Sequence, residues 1–168
     1  MNKRFVIEIS SLIILFLGII LFYYNFRLIA LLLYLIWYLI FGMVGLAFYC
    51  STHKKIKMSN FFLAITIPVI LLPSRKAFYY WTKAVNSTLA DSARASVAYD
   101  LAMKVNPDNL LTDNNRCMYF SFVAALLFDT GEKERALHFL ALARQFPHKT
   151  ALDAPLQQLS DQFSESNE

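Results

Sequence analysis

The sequence predicts an all-α protein with apolar, membrane-spanning helices in front and a polar helical domain behind. Three observations carry that expectation. The 168 residues are 57% hydrophobic and only 17% charged, well below the roughly one quarter usual in a globular domain. That apolarity is concentrated before Pro73. After Ser74 the chain has apolar residues at helical spacing, broken by turn residues, in two halves that align with each other.

Charge follows the same division. Before Ser74, Lys3, Arg4, Arg27, Lys54, Lys55 and Lys57 face Glu8 alone, whereas the remainder is nearly neutral. The formal charge of +4 therefore belongs to the flanks of the apolar runs. It does not form the basic face that phosphate backbones require, which argues against a nucleic-acid partner.

The first expected span is residues 5–26. It resembles the start of a secretory signal, but it is too long, and Tyr23-Tyr24-Asn25-Phe26 offers no small-residue cleavage site. The second span is residues 28–50, uncharged throughout. Asn25–Arg27 leaves room only for a tight turn, so the two helices are antiparallel neighbours, with Tyr23, Tyr24 and Phe26 at the position of an aromatic belt. Trp37 reads as a packing residue. Lys3, Arg4 and the basic loop His53, Lys54, Lys55, Lys57 place both ends of this hairpin on the cytoplasmic side.

Residues 58–73 decide the topology. The stretch Met58–Leu72 is uncharged and contains Pro68. Counted between Lys57 and Arg75 it offers about 17 uncharged residues, or about 25 Å as a helix at 1.5 Å per residue, the short end of what crosses a bilayer. It is read as a third span, with a re-entrant or interfacial segment as the competing reading. Pro73-Ser74 ends it and caps the next helix.

From residue 74 to 168 the reading is a helical domain. Hairpins are expected at about 75–105 and 114–146, with a capping helix at about 155–163 and a polar tail from Ser164. Asp91 caps a helix reaching to about Val105, and Asn106-Pro107 stops it. Asp113 or Asn114 begins the next, Thr130-Gly131 breaks it, and Glu132 opens a helix to about Gln145. A shift of about 41 residues superimposes the halves. It sets Ala84 on Ala125, Asp91 on Glu132, Arg94 on Arg135, Ala95 on Ala136, and Ala102 on Ala143. Gly131 fits a turn that needs a positive φ.

These residues resemble the tetratricopeptide repeat (TPR). The second unit matches at Phe120, Val123, Ala124, Leu127, Gly131, Ala136, Leu140, Ala143 and Pro147. The first matches at Tyr79, Ala95, Tyr99, Ala102 and Pro107, with Ala90 in place of the glycine and an insertion around Asp108–Asn114. The resemblance implies a partner groove lined by Tyr80, Ala84, Met118, Ser121, Ala125 and Phe128. The Lys and Asn residues of the carboxylate-clamp subtype are absent, so such a groove would take an apolar helix or extended segment.

No phosphate loop, His-Glu-x-x-His or paired-cysteine metal motif is present, and His53, His138 and His148 are isolated in sequence. No cofactor or catalytic residue is expected. Cys50 and Cys117 read as buried or membrane-edge thiols. The functional expectation is a non-catalytic integral protein of a bacterial cell membrane, with a cytoplasmic N-terminus. It would contact the lipid bilayer and present the TPR-like domain to a protein partner. The alternative is an accessory subunit of a membrane enzyme or transporter, binding through its transmembrane helices.

Overall fold

The computed structural model describes residues 3–41, 43–91 and 94–165. Among them the fold is all-α, with nine α-helices and no strand. The chain divides into two compact units, Met1–Tyr79 and Tyr80–Glu168.

In the first unit, α1 (Lys3–Tyr23) and α2 (Arg27–Phe41) form an antiparallel hairpin. Its turn is closed by Asn25 at φ 65°, with Asn25 N–H donating to Phe22 O and Phe26 N–H to Leu21 O. This is the Schellman arrangement, in which a left-handed residue satisfies the last carbonyls of a helix, and Asn tolerates that conformation. The helices approach closely at Gly18, where an added Cβ would lie 2.6 Å from the Tyr34 ring. Trp37 Nε1 donates to Ser11 Oγ at 2.8 Å, and its ring stacks on Phe41.

A second hairpin pairs α3 (Val44–Thr52) with α4 (Ile56–Ala64). Its turn repeats the Schellman pattern with Lys54 at φ 58°, Lys54 N–H to Ser51 O and Lys55 N–H to Cys50 O. Val44, Ala47, Cys50 and Leu63 are buried there, and Ser59 Oγ donates to Ala47 O at 2.7 Å. Residues 65–72 are irregular. They are tied back by Met43 N–H donating to Thr66 Oγ1 at 3.2 Å and by Tyr38 OH donating to Ile65 O.

The expected transmembrane helices are corrected here. Among the described residues, no helix is long and apolar enough to cross a membrane. In α1, Lys3, Arg4 and Glu8 leave about 15 uncharged residues, or about 22 Å, against a hydrocarbon core of about 30 Å. The span expected at 28–50 is divided into α2, which ends at Phe41, and α3, which starts at Val44. Gly42 lies outside the described residues. The span expected at 58–73 stops at Ala64. Pro68 supplies the reason, because its ring would clash with the carbonyl four residues earlier, that of Ala64.

The second unit begins within α5 (Pro73–Ala90), which starts on a proline, the residue best suited to a first helical position. It continues through α6 (Ala95–Ala102), a 3-10 turn at Pro107–Asn109, α7 (Asp113–Asp129), α8 (Lys133–Gln145), a second 3-10 turn at Thr150–Leu152, and α9 (Asp153–Glu165). The helix expected to start at Asp91 and reach Val105 is shorter than that, and residues 92–93 lie outside the described set. So do residues 166–168 of the expected polar tail, while Ser164 and Glu165 are still in α9.

Helix α7 is the centre of this unit. It packs on α6, α8 and α9, and its Cys117, Tyr119, Val123, Ala124, Leu126 and Leu127 are all buried. The small residues Ala95, Ala98, Ala102, Ala136 and Ala143 are buried on α6 and α8, where their size lets backbones come close. Tyr119 OH donates to Ala102 O at 3.0 Å, and its ring meets Trp81 of α5 edge-on at 6.1 Å. Thr112 caps α7 by accepting from Asn115 N–H at 3.1 Å. At the other end Gly131, at φ +85°, closes a third Schellman turn, with Glu132 N–H to Leu127 O at 2.8 Å and Gly131 N–H to Phe128 O at 3.0 Å. The two halves also share a local ion pair. Asp91–Arg94 and Glu132–Arg135, aligned in the sequence, each join residues i and i+3.

Candidate functional site

The residues proposed to line a groove fall into two sets. Met118, Ser121, Ala125 and Phe128 are spaced three, four and three apart on α7 and so form one stripe of that helix. Tyr80 and Ala84 are four apart on α5. The two helices meet where Trp81 touches Tyr119.

Within the α7 stripe each residue has a local role. Met118 Sδ lies 3.5 Å from Asn114 Nδ2. Ser121 Oγ donates to Cys117 O at 2.7 Å, which satisfies its hydroxyl inside the helix. Ala125 is half-buried and presents no polar atom beyond its backbone. Phe128 stacks on Phe163 of α9, with centroids 4.3 Å apart, so the capping helix covers this end of the stripe. On α5, Tyr80 is half-buried under the Lys104 ammonium, 5.9 Å from its ring centre. Ala84 is 0% exposed, which makes it a floor and not a contact. The part of the stripe open to a partner is therefore Met118, Ser121 and Ala125. No charged residue lies between Arg116 and Asp129.

Among the described residues no three His, Cys, Asp or Glu side chains gather in a way that could hold a metal ion. Cys50 and Cys117 are free and buried. Burial pushes the Cys117 thiol up from its ordinary range, the opposite of what a nucleophile needs. Tyr119 is pushed up to about 12, first by burial and then by the nearby Tyr99.

One polar cluster could not be read from spacing. His148 follows α8, yet its Nδ1 is 2.7 Å from Phe146 O and its Nε2 is 3.0 Å from Asp153 Oδ1. Lys149 N–H donates to Asn114 Oδ1 at 3.0 Å. Both ring nitrogens are thus engaged in pinning the link between α8 and α9, and neither points at open space for a substrate.

In the first unit, α1 and α2 expose many large apolar side chains, among them Leu12, Phe16, Ile19, Leu28, Leu31 and Leu35. A shallow groove of about 430 Å³ on α1 is lined by Leu12, Ile13, Phe16, Leu17 and Ile20.

Comparison with protein-family models, with curated proteins and with solved structures found no match. The likeness to the TPR rests on the quoted residues alone. The expectation of an integral membrane protein, in a bacterial cell membrane or as a membrane-embedded accessory subunit, is overturned, because no described helix is long and apolar enough to cross.

Proposed function

We propose that the second unit is a non-catalytic protein-binding module whose partner lies along α7, over Met118, Ser121 and Ala125, with Tyr80 at the edge. The observation that carries this reading is the uncharged, half-buried stripe Met118, Ser121 and Ala125 on a helix that also supplies the core residues Cys117, Tyr119, Val123, Ala124, Leu126 and Leu127. A stripe of small and apolar side chains suits an apolar helix or an extended apolar segment. The absence of lysine and asparagine at these positions disfavours an acidic C-terminus as the ligand.

The test is capture of a partner by the full chain, compared with Ala125→Arg. The arginine places a charge in the middle of the stripe while leaving the buried residues of α7 untouched. Loss of the captured protein, with helicity and melting temperature unchanged, is the expected result. Undiminished capture of the same protein by Ala125→Arg would rule this surface out.

A further inference from the structure

Helix α4 buries Ser59 beside Leu63 and leaves large apolar side chains outside. Its Ser59 is 0% exposed, while Met58 is 51% and Phe61 61% exposed. The serine is held inward by its hydrogen bond to Ala47 O, so the orientation is fixed by a polar contact to α3. The apolar surface continues past the end of the helix into the irregular segment, where Ile67 is exposed and Val69 reaches 82%. Around the start of the helix, Lys54, Lys55 and Lys57 are all exposed. No aspartate or glutamate occurs between Glu8 and Asp91 to neutralise them.

We propose that this surface, from Lys54 to Ile70, is a docking site for an anionic lipid surface, on which it lies without crossing. Lysines beside exposed large apolar side chains match the two layers of a lipid interface, anionic headgroups outside and acyl chains beneath. A second copy of the chain is a poor occupant, because a symmetric contact would bring two such lysine clusters together. An acidic protein would match the lysines but not the adjoining Phe61 and Val69, both exposed.

The experiment places an environment-sensitive dye on Val69→Cys in the full chain, with Cys50 and Cys117 replaced by alanine. The chain is mixed with vesicles of phosphatidylcholine, with or without phosphatidylserine. The expected result is a blue shift on the anionic vesicles only, weakened by salt. The K54Q/K55Q/K57Q variant should partition more weakly by on the order of a hundredfold, from roughly fivefold per lysine. K54R/K55R/K57R should bind as the parent does, which separates charge from any effect on the fold. An equal shift on neutral vesicles, no shift on either, or an unaffected glutamine variant would each overturn the proposal. A shift with polyglutamate but not with anionic vesicles would overturn it in favour of an acidic chain.

Discussion

Replacing Gly131 isolates the cost of one backbone angle. The residue sits at φ +85°, and a Cβ added there would meet nothing within 4 Å. The Cβ therefore meets no neighbouring side chain or helix, and the effect of the first added carbon is conformational. A non-glycine residue in the left-handed region costs about 1–2 kcal/mol, and a β-branched one sits at the upper end or beyond. Asparagine tolerates the region and should cost least. The order of stability should be glycine, then asparagine, alanine and valine, with Gly131→Val lower by about 2 kcal/mol. For a domain of this size that corresponds to a fall in Tm of about 8–16 °C. The assay is thermal unfolding in a Trp37→Phe background, so that the buried Trp81, which touches Tyr119, reports on the second unit. Equal melting of Gly131→Val and the parent would refute the Schellman turn. Equal losses for asparagine and valine would refute the conformational reasoning.

Other predictions follow from single contacts. Thr112→Ala removes the oxygen that accepts from Asn115 N–H and should destabilise the second unit by about 1 kcal/mol in the same melt; an unchanged Tm would count against the cap. Tyr119 should resist ionisation in a spectrophotometric titration until about pH 12. Because its folded value lies above the unfolded one, the folded state binds more protons between them, so its contribution to stability is intact below about pH 10 and is lost as pH rises toward 12; Tyr119→Phe should remove that part of the pH dependence. Gly18→Ala should disturb the α1–α2 hairpin because the new Cβ would press on Tyr34. Tyr34→Ala should relieve it, and a double-mutant cycle read through Trp37 fluorescence in a Trp81→Phe background that came out additive would sink the claim.

The second unit was legible in the sequence where its limits are set locally. Gly131 supplies a turn that only a few residues accept, and Glu132 and Arg135 belong to the same turn. Each is decided by residues within about one helical turn, and α7 and α8 end where these signals place them. His148 was not legible, because its partner Asp153 is brought to it by an intervening 3-10 turn. The first unit misled for a different reason. Hydropathy measures how much apolar surface a run contains but not whether the backbone continues as one helix. Reading Pro68 as a tolerated proline in a membrane helix set aside its simpler effect, which is to stop α4 at Ala64. Near residue 43 the local signal is only Gly42 and Gly45, and glycine weakens a helix without ending it. The Met43 N–H there donates to Thr66, a residue 23 positions away, so an interruption that would leave a donor unsatisfied is supported by tertiary structure. The same logic governs the face of α4. Periodicity alone would turn Phe61 inward and Ser59 outward; the carbonyl of Ala47, on a different helix, accepts the serine hydroxyl and accompanies the opposite choice. The apolar side chains that hydropathy counted toward a span are then left on a surface beside three lysines, and it is this arrangement, not the apolar content, that points to a lipid interface.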